Sequence, residues 1–402
     1  MKGNILFITL VQIKSIHERG IYTDLIRKFN NEGYNVYVLC PIERKYGKKT
    51  FLKKEENVQI LNVRTLNIQK TNLFEKAVST LSLEYLFLRA IDRFFLDIKV
   101  DLILYSTPPI TLTRIIDKLK RRFGAKTYLL LKDIFPQNAV DMDMISKSSI
   151  IYKYFRKKEI SLYKLSDTIG CMSDKNIEFL INHNPFLNPS SIELNPNSLE
   201  LKLDQKWDKK TIRVRFNLPI DSTVFLYGGN LGKPQGIDFL IEILKVNLNK
   251  KECFFLIVGD GTEYSKLEGW LKRTNANNIR LLKSLPKTEY DELVKSVDVG
   301  LIFLDYRFTI PNFPSRLLSY LESKVPVLAA TDINTDLGDI VVQNHFGLWS
   351  SSNDIVTFNK HLEYFIAEKA ARLEMGQNGF NYMKNNYLIG HSFNKIISKL
   401  DV

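Results

Sequence analysis

Phe308-Thr-Ile-Pro-Asn-Phe-Pro-Ser-Arg-Leu-Leu-Ser-Tyr-Leu-Glu322, continuing through Ser-Lys-Val to Pro326-Val-Leu-Ala-Ala330, is the stretch on which the fold turns. A loop rich in Pro and Asn opens a helix whose first turn carries Ser315 and Arg316, and an apolar, strand-like run follows from Val325. Free backbone N–H groups, a hydroxyl and a guanidinium then converge on one point, which suits a diphosphate. Short apolar runs alternate with amphipathic helices along most of the chain, so the expectation is an α/β scaffold that holds a nucleotide.

The same alternation extends on both sides. Thr223-Val-Phe-Leu-Tyr-Gly-Gly229, Cys253-Phe-Phe-Leu-Ile-Val258 with its Gly259-Asp-Gly261 turn, and Val299-Gly-Leu-Ile-Phe-Leu304 read as strands, after a polar, charged link from about Leu199 to Arg215. In the first half, Ile5 to Val11 reads as a buried first strand. A polar turn with His17, Glu18, Arg19 and Gly20 follows, then a helix through Leu25, Ile26 and Phe29 stopped by Gly33, then the strand Tyr34 to Cys40. That β-α-β unit requires a right-handed crossover and a parallel sheet. Asp101 to Ser106 and Lys126 to Leu131 are further buried strands whose carboxyl ends meet polar or proline-bearing loops, where such sheets place ligands. The stretch from Lys360 to Val402 reads mainly as helices.

The 402 residues exceed the roughly 250 to 300 at which one core stops growing, so two domains are expected. Hydrophobic residues at 45% and charged residues at 25% exclude disorder as the general state. The 57 Lys plus Arg against 44 Asp plus Glu leave a formal charge of +13, which favours polyanions, phosphorylated ligands or an anionic membrane face. Cys40, Cys171 and Cys253 are far apart and lack metal-ligand spacing, so neither a disulfide framework nor a zinc site is suggested, and a reducing, cytosolic location fits. The apolar run Ile5 to Val11 is too short to span a bilayer.

The glycine-rich turn Tyr227-Gly-Gly-Asn-Leu-Gly-Lys-Pro-Gln-Gly236 lies between a strand and the helix Ile237 to Leu244. Its glycines permit close backbone approach to a phosphate, and Lys233 supplies a charge; a tight strand-to-helix connection is the plainer reading. Together with Ser315 and Arg316 the phosphate reading gains weight.

These segments resemble the retaining, nucleotide-sugar-dependent glycosyltransferases of family 4. The resemblance is carried by Gly228-Gly-Asn-Leu-Gly-Lys-Pro-Gln-Gly236, Phe255-Leu-Ile-Val-Gly-Asp-Gly-Thr-Glu263 and Pro314-Ser-Arg-Leu-Leu-Ser-Tyr-Leu-Glu-Ser-Lys-Val-Pro-Val327. It implies the GT-B architecture, an α/β fold of two Rossmann-like domains with parallel sheets facing across a cleft. Residues 1–198 form an acceptor-binding domain, 199–385 a nucleotide-sugar-binding domain, and 386–402 a helix packing back towards the first. Leu131-Lys-Asp-Ile-Phe-Pro-Gln-Asn-Ala-Val-Asp141 looks like the aspartate, aromatic and proline segment of a branch that builds capsular, exopolysaccharide and O-antigen units.

By that resemblance Gly229 and Asn230 lie against the donor diphosphate, with Lys233 or Arg316 neutralising it and Pro314 and Ser315 beside it. No cofactor and no bound metal are implied, the nucleotide-sugar, a UDP-sugar by that resemblance, being a substrate. Two glutamates common in the family fall at Pro311 and Ser319 here, so Ser319 or Glu322, one helical turn on, is left to meet the ribose. Asp141 and Asp143 lack the company of a metal pair and read as loop residues. Asp133, after the buried run Tyr128 to Leu131, is the candidate catalytic residue; the other reading is a helix or turn cap before Pro136. On the acceptor side stand His17 and Gly20, His17 reading equally as an exposed loop residue.

The resemblance further implies a polyprenyl-diphosphate-linked saccharide acceptor and a peripheral place at the inner face of the cell membrane. Lys118-Leu-Lys-Arg-Arg122, Arg156-Lys-Lys158 and the stretch Leu73 to Val100, with Phe74, Lys76, Leu81, Leu86, Phe87, Arg89, Arg93 and Phe95, are candidates for meeting an anionic membrane surface. Ordinary amphipathic helices covering the sheet are the alternative. A nucleotide-sugar 2-epimerase and a catalytically degenerate nucleotide-sugar-binding partner remain as other functions. Nucleic acid is not an expected partner, because no recognition motif accompanies the charge. Oligomeric state is left open.

Overall fold

Apolar runs covered on both faces become parallel strands, and that rule organises both halves of this computed structural model. It describes residues 2–67, 73–201 and 207–400, apart from the side chains of 73–81. The chain divides into two units, one comprising 1–200 with 389–402 and the other 201–388.

Unit 1 runs β1 (Asn4–Ile8), α1 (Ile21–Asn31), β2 (Asn35–Glu43), β3 (Phe51–Glu55), β4 (Val58–Thr65), α2 (Leu73–Phe94), β5 (Leu102–Ser106), α3 (Thr113–Phe123), β6 (Lys126–Leu131), α4 (Gln137–Asp141), α5 (Ile150–Leu165), β7 (Thr168–Cys171), α6 (Asp174–His183) and β8 (Ile192–Leu194). Among the described residues its sheet has eight strands in the order β3-β4-β2-β1-β5-β6-β7-β8. One departure from a wholly parallel sheet is the edge hairpin, where β3 pairs antiparallel with β4 across Glu56, at φ 52°. Lys53, Lys54 and Glu55 make that edge strand polar, so its sequence carries no buried-strand signal.

Unit 2 runs α7 (Lys209–Arg215), β9 (Thr223–Asn230), α8 (Ile237–Val246), β10 (Cys253–Asp260), α9 (Tyr264–Arg273), β11 (Ile279–Leu282), α10 (Lys287–Val294), β12 (Val299–Phe303), α11 (Leu317–Glu322), β13 (Val327–Thr331), α12 (Leu337–Gln343), β14 (Gly347–Ser351), α13 (Ile355–Ala367) and α14 (Lys369–Asn386). Its described strands pair in parallel in the order β11-β10-β9-β12-β13-β14. Phe225, Phe255 and Phe303 on the sheet pack with Leu240, Ile243 and Leu244 of α8 and with Phe358, Leu362 and Phe365 of α13. Two sequence readings are corrected here. The polar link contains α7, whose Asp208 side chain accepts from the Lys210 and Thr211 amides. The helix after Pro314 starts at Leu317, so Arg316 is its N-cap and Ser315 precedes it.

After α14 the chain returns to unit 1 as α15 (Ile389–Ile397). The Ile389 amide donates to the Leu199 carbonyl (2.9 Å), and Phe393 sets its ring 5.3 Å from Phe29 and 6.1 Å from Tyr34. These groups belong to the same core as Ile5, Phe7, Val36 and Val38.

The basic cluster of α3 is not a free cationic face. Lys118 and Arg122 pair with Asp92 (3.4 and 2.9 Å), Lys120 with Asp167 (2.7 Å) and Arg121 with Asp117 (2.7 Å). Arg156 pairs with Glu159, and Lys158 donates to the Thr113 hydroxyl. On α2 and just beyond it, Phe87 and Phe95 are fully buried, Phe95 against Tyr37 at 5.3 Å, while Arg89 and Arg93 are exposed. From residue 82 on, the apolar side of this segment therefore covers the sheet; the side chains of Phe74, Lys76 and Leu81 lie outside those described.

Replacing Phe393 with Ala removes a buried ring and is expected to cost unit 1 about 3 kcal/mol or more. Amide hydrogen exchange from β1 and β2 should accelerate while that from β9 and β10 holds; equal acceleration in both sheets would contradict the assignment of α15 to unit 1.

Candidate functional site

In unit 2 the candidate donor residues gather at the carboxyl end of β9. This strand is buried through Gly228 and then surfaces at Gly229 and Asn230. A Cβ on Gly228 would lie 1.9 Å from the Tyr290 hydroxyl, and one on Gly229, at φ 133°, would lie 3.3 Å from the Arg316 guanidinium. Glycine at both positions makes room for those two side chains.

Arg316 reaches this point from the N-cap of α11, with its Cζ 4.4 Å from the centroid of the Tyr227 ring. Its Nη1 is buried with no hydrogen-bond partner, as is the Tyr290 hydroxyl. No carboxylate pairs with Arg316 among the described residues. Tyr320 completes the surround, its hydroxyl accepting from the Gly228 amide (3.3 Å) and lying 2.9 Å from the Leu226 carbonyl. Burial pushes the Tyr290 phenol up to about 12 and also raises Tyr227 and Tyr320, so all three remain neutral around the cation. A buried guanidinium with an unused N–H and no anionic partner is a receptor for an oxyanion.

The turn above it is braced. The Gln235 side chain accepts from Asn230 Nδ2 (2.9 Å) and the Gly232 amide (3.3 Å), and the Asn230 carbonyl accepts from the Tyr227 hydroxyl (2.7 Å). The Asp305 amide donates to the Pro234 carbonyl (3.0 Å), and the Asp305 carboxylate holds Arg307 through two hydrogen bonds of 2.9 and 3.0 Å. Lys233 stands exposed in this turn, so the two candidate phosphate cations differ: one is enclosed and fixed, the other solvated. In the approach to α11, the Pro314 carbonyl accepts from the Leu317 amide, Ser315 is exposed, and Ser319 and Glu322 are half-buried on the helix. The structure thus brings Arg316, from the start of α11, beside the turn that carries Gly229, Asn230 and Lys233, while the Ser319 amide donates to the Arg316 carbonyl (3.2 Å). Tyr290 has no motif around it, and only the requirement for glycine at position 228 could have signalled it.

In unit 1, Asp133 follows β6. Its two carboxylate oxygens lie 2.9 and 3.0 Å from the Asn138 amide nitrogen, in α4, and its backbone amide donates to Thr107 Oγ1 (3.3 Å). The carboxylate therefore anchors the turn before α4. Burial raises it to about 6. Lys132 beside it donates to the Asn195 carbonyl (3.1 Å), and burial brings its ammonium down to about 7. Lys132 was not among the sequence candidates.

His17 is exposed, in a loop held by Arg27, which donates to the Glu18 carbonyl (2.9 Å), and by Glu55, which accepts from the Ile16 amide (2.8 Å). Gly20 is the N-cap of α1, its amide donating to Asp24 Oδ1 (3.2 Å). Asp141 ends α4 rather than lying in a loop, and Asp143 follows with φ 55°. Among the described residues, no three His, Cys, Asp or Glu side chains gather as metal ligands would.

The raised Asp133 means that the folded state holds its proton more tightly than the unfolded state does. Its contribution is fully present below about pH 4 and is lost as pH rises through about 6. Asp133→Asn removes this dependence, so relative to wild type the variant should gain up to about 3 kcal/mol between pH 4 and pH 7 in denaturant titrations. An equal difference at both pH values would show that the carboxyl titrates normally.

Residues 208–382 match the family model described as Glycosyl transferases group 1. The chain is 24% identical over 272 residues to a Pseudomonas aeruginosa protein named "Probable glycosyltransferase WbjE", the match spanning 65% of each chain and hence less than two thirds of that relative's length. Of solved structures, sucrose-phosphate synthase from Thermosynechococcus elongatus superposes with a TM-score of 0.78 at 14% identity, covering 99% of both chains. The Anabaena protein Alr3699/HepE in complex with UDP does so with a TM-score of 0.70 at 13% identity, again over 99% of both. The fold is thus the α/β GT-B type with two Rossmann-like domains, and the glycosyl transferases group 1 match falls on the second of them.

Proposed function

We propose that this chain is a retaining glycosyltransferase that moves a sugar from a nucleotide donor, UDP-linked, to a lipid-linked saccharide in bacterial surface polysaccharide synthesis. The observation that carries the reading is the Arg316 guanidinium, buried over Tyr227 beside Gly229 with Nη1 unpartnered. A nucleoside diphosphate leaving group needs such a fixed charge as the bond to the anomeric carbon breaks, because preorganised cations stabilise developing negative charge without moving. Lys233, exposed on the turn, adds a mobile second charge. The group 1 domain and the UDP-bound Anabaena neighbour support the donor class.

In the proposed reaction the acceptor hydroxyl attacks the anomeric carbon on the face that the diphosphate leaves. The hydroxyl proton passes to a donor phosphate oxygen, so the products are the glycoside and the nucleoside diphosphate. The protein's part is to position both substrates and hold the leaving charge. Asp133, at the carboxyl end of β6, is the proposed residue meeting the sugar, and His17 and Gly20 lie on the proposed acceptor side. No metal is assigned a role.

A peripheral membrane position fits the lipid-linked acceptor, although a different surface serves it than the α3 cluster. Met144, Ile150, Ile151 and Tyr154 are 64, 84, 56 and 41% exposed, and Lys147, Lys153 and Lys157 stand exposed among them. Apolar side chains interleaved with cations suit an anionic bilayer surface. No described helix is long and apolar enough to cross a membrane.

Thermal shift against UDP, GDP, ADP, CMP and UDP-sugars should show selective stabilisation by the uridine compounds. Arg316→Ala should weaken UDP binding by at least about tenfold and Lys233→Ala by a smaller factor, since an enclosed charged hydrogen bond outweighs an exposed one. Unchanged affinity in Arg316→Ala sinks the site. Binding without transfer or hydrolysis, in the presence of a polyprenyl-diphosphate saccharide, would point to a degenerate binding partner instead. For the surface, Ile150→Ser with Ile151→Ser should reduce co-sedimentation with phosphatidylserine vesicles severalfold, and equal sedimentation would remove the patch from the reading.

A further inference from the structure

The amino-terminal edge of the unit 2 sheet holds a cavity of about 490 Å³. It lies beside Thr223, which opens β9, Val297 and Asp298 ahead of β12, and Pro326 ahead of β13. Gly229 and Arg316 lie at the other end of β9, and the eight residues of that strand separate the two places by roughly 23 Å. The cavity is thus a different site, of a size common for small-molecule pockets.

Its lining is strongly basic: Lys209, Lys210, Arg213, Lys324, Lys369 and Arg372 against Asp208, Asp221 and Asp298. Two of the carboxylates are already engaged. Asp208 accepts from the first amides of α7, at 3.1 and 3.2 Å. Asp298 accepts from Lys209 Nζ (2.6 Å) and the Val224 amide (2.7 Å) and pairs with Arg213. Arg213 is buried, and its other N–H groups go to the carbonyls of Ser296 (2.9 Å), Pro219 (3.2 Å) and Ile220 (3.1 Å), so it forms a fixed wall.

Arg372, on α14, joins the same group, with one nitrogen donating to the Ile366 carbonyl (3.2 Å). Burial lowers both Arg372 and Lys209, attraction to Asp298 opposes that, and repulsion from Arg213 adds to it. Lys209 and Arg213 therefore pair with one carboxylate, and Arg372 lines the same cavity close enough to be attracted to it. Lys210 and Lys369 stand exposed and Lys324 half-buried around them. An excess of cations in a partly enclosed space is costly unless an anion joins them.

We propose that this cavity binds a small, multiply charged phosphate compound, independently of the nucleotide site at Arg316. Several cations of mixed type, some fixed and some mobile, match the several oxygens of a polyphosphate better than a single carboxylate. The site is argued from its own residues and does not depend on the transferase reading.

The test is titration calorimetry of pyrophosphate into the full chain at fixed ionic strength, with and without saturating UDP, in wild type and in the double variant Lys210→Glu, Lys369→Glu. Both substituted residues are exposed, so folding is preserved. Pyrophosphate should bind with UDP present, and the double variant should bind it at least about tenfold more weakly while its UDP affinity holds. No pyrophosphate binding in the presence of UDP, or equal affinity in wild type and double variant, overturns the proposal. Failure of UDP itself to bind would count against the donor site alone, because the pyrophosphate comparison between wild type and double variant stands without it.

Discussion

The enclosure of Arg316 is the constraint around which unit 2 is arranged. A guanidinium partly withdrawn from water needs compensation, and among the described residues it receives an aromatic face from Tyr227 and no carboxylate. The enclosure in turn dictates the backbone. Tyr290 occupies the space that a side chain at position 228 would fill, and Arg316 crowds position 229, whose φ of 133° itself favours glycine, so β9 carries two glycines before Asn230. Those glycines expose the strand end, and the turn beyond it is braced by Gln235 and by the tie from Asp305 to Pro234.

Parallel sheets place such chemistry by geometry. In both units the candidate groups follow the carboxyl ends of buried strands: Gly229 and Asn230 at β9, Asp133 at β6, and the His17 loop at β1. The opposite edge of the unit 2 sheet carries a different kind of charge. There Arg213 is saturated by carbonyls and Asp298, so its function is to hold α7 against the strands, and the surplus charge comes from α14 and the α7 start. The same sheet therefore presents one fixed cation with one exposed lysine at one edge and a larger group of cations at the other.

Much of this was legible because burial on both faces leaves a plain signature. Leu102–Ser106, Lys126–Leu131 and Val299–Phe303 are short apolar runs bounded by polar turns, and the structure gives them as strands within a residue of where the sequence places them. Edge strand β3 lacked the signature because its lysines face solvent. Helix α7 was hidden in a charged link because seven residues with one cap make a weak local signal. At the site, Gly229, Asn230, Lys233 and Arg316 lie in local motifs and were visible. Tyr290 and the Asp92 and Asp167 partners of the α3 lysines and arginines are set by packing between distant segments, which no local pattern encodes.

The end of β6 shows how position alone changes what a residue type can do. Asp133 and Lys132 are neighbours in sequence, of opposite formal charge, yet their side chains go to different partners, Asn138 and the Asn195 carbonyl. Neither partner carries a charge, so burial outweighs the hydrogen bonds that Asp133 accepts and the attraction of Lys132 to Cys171, and drives each towards its neutral form, one up to about 6 and the other down to about 7.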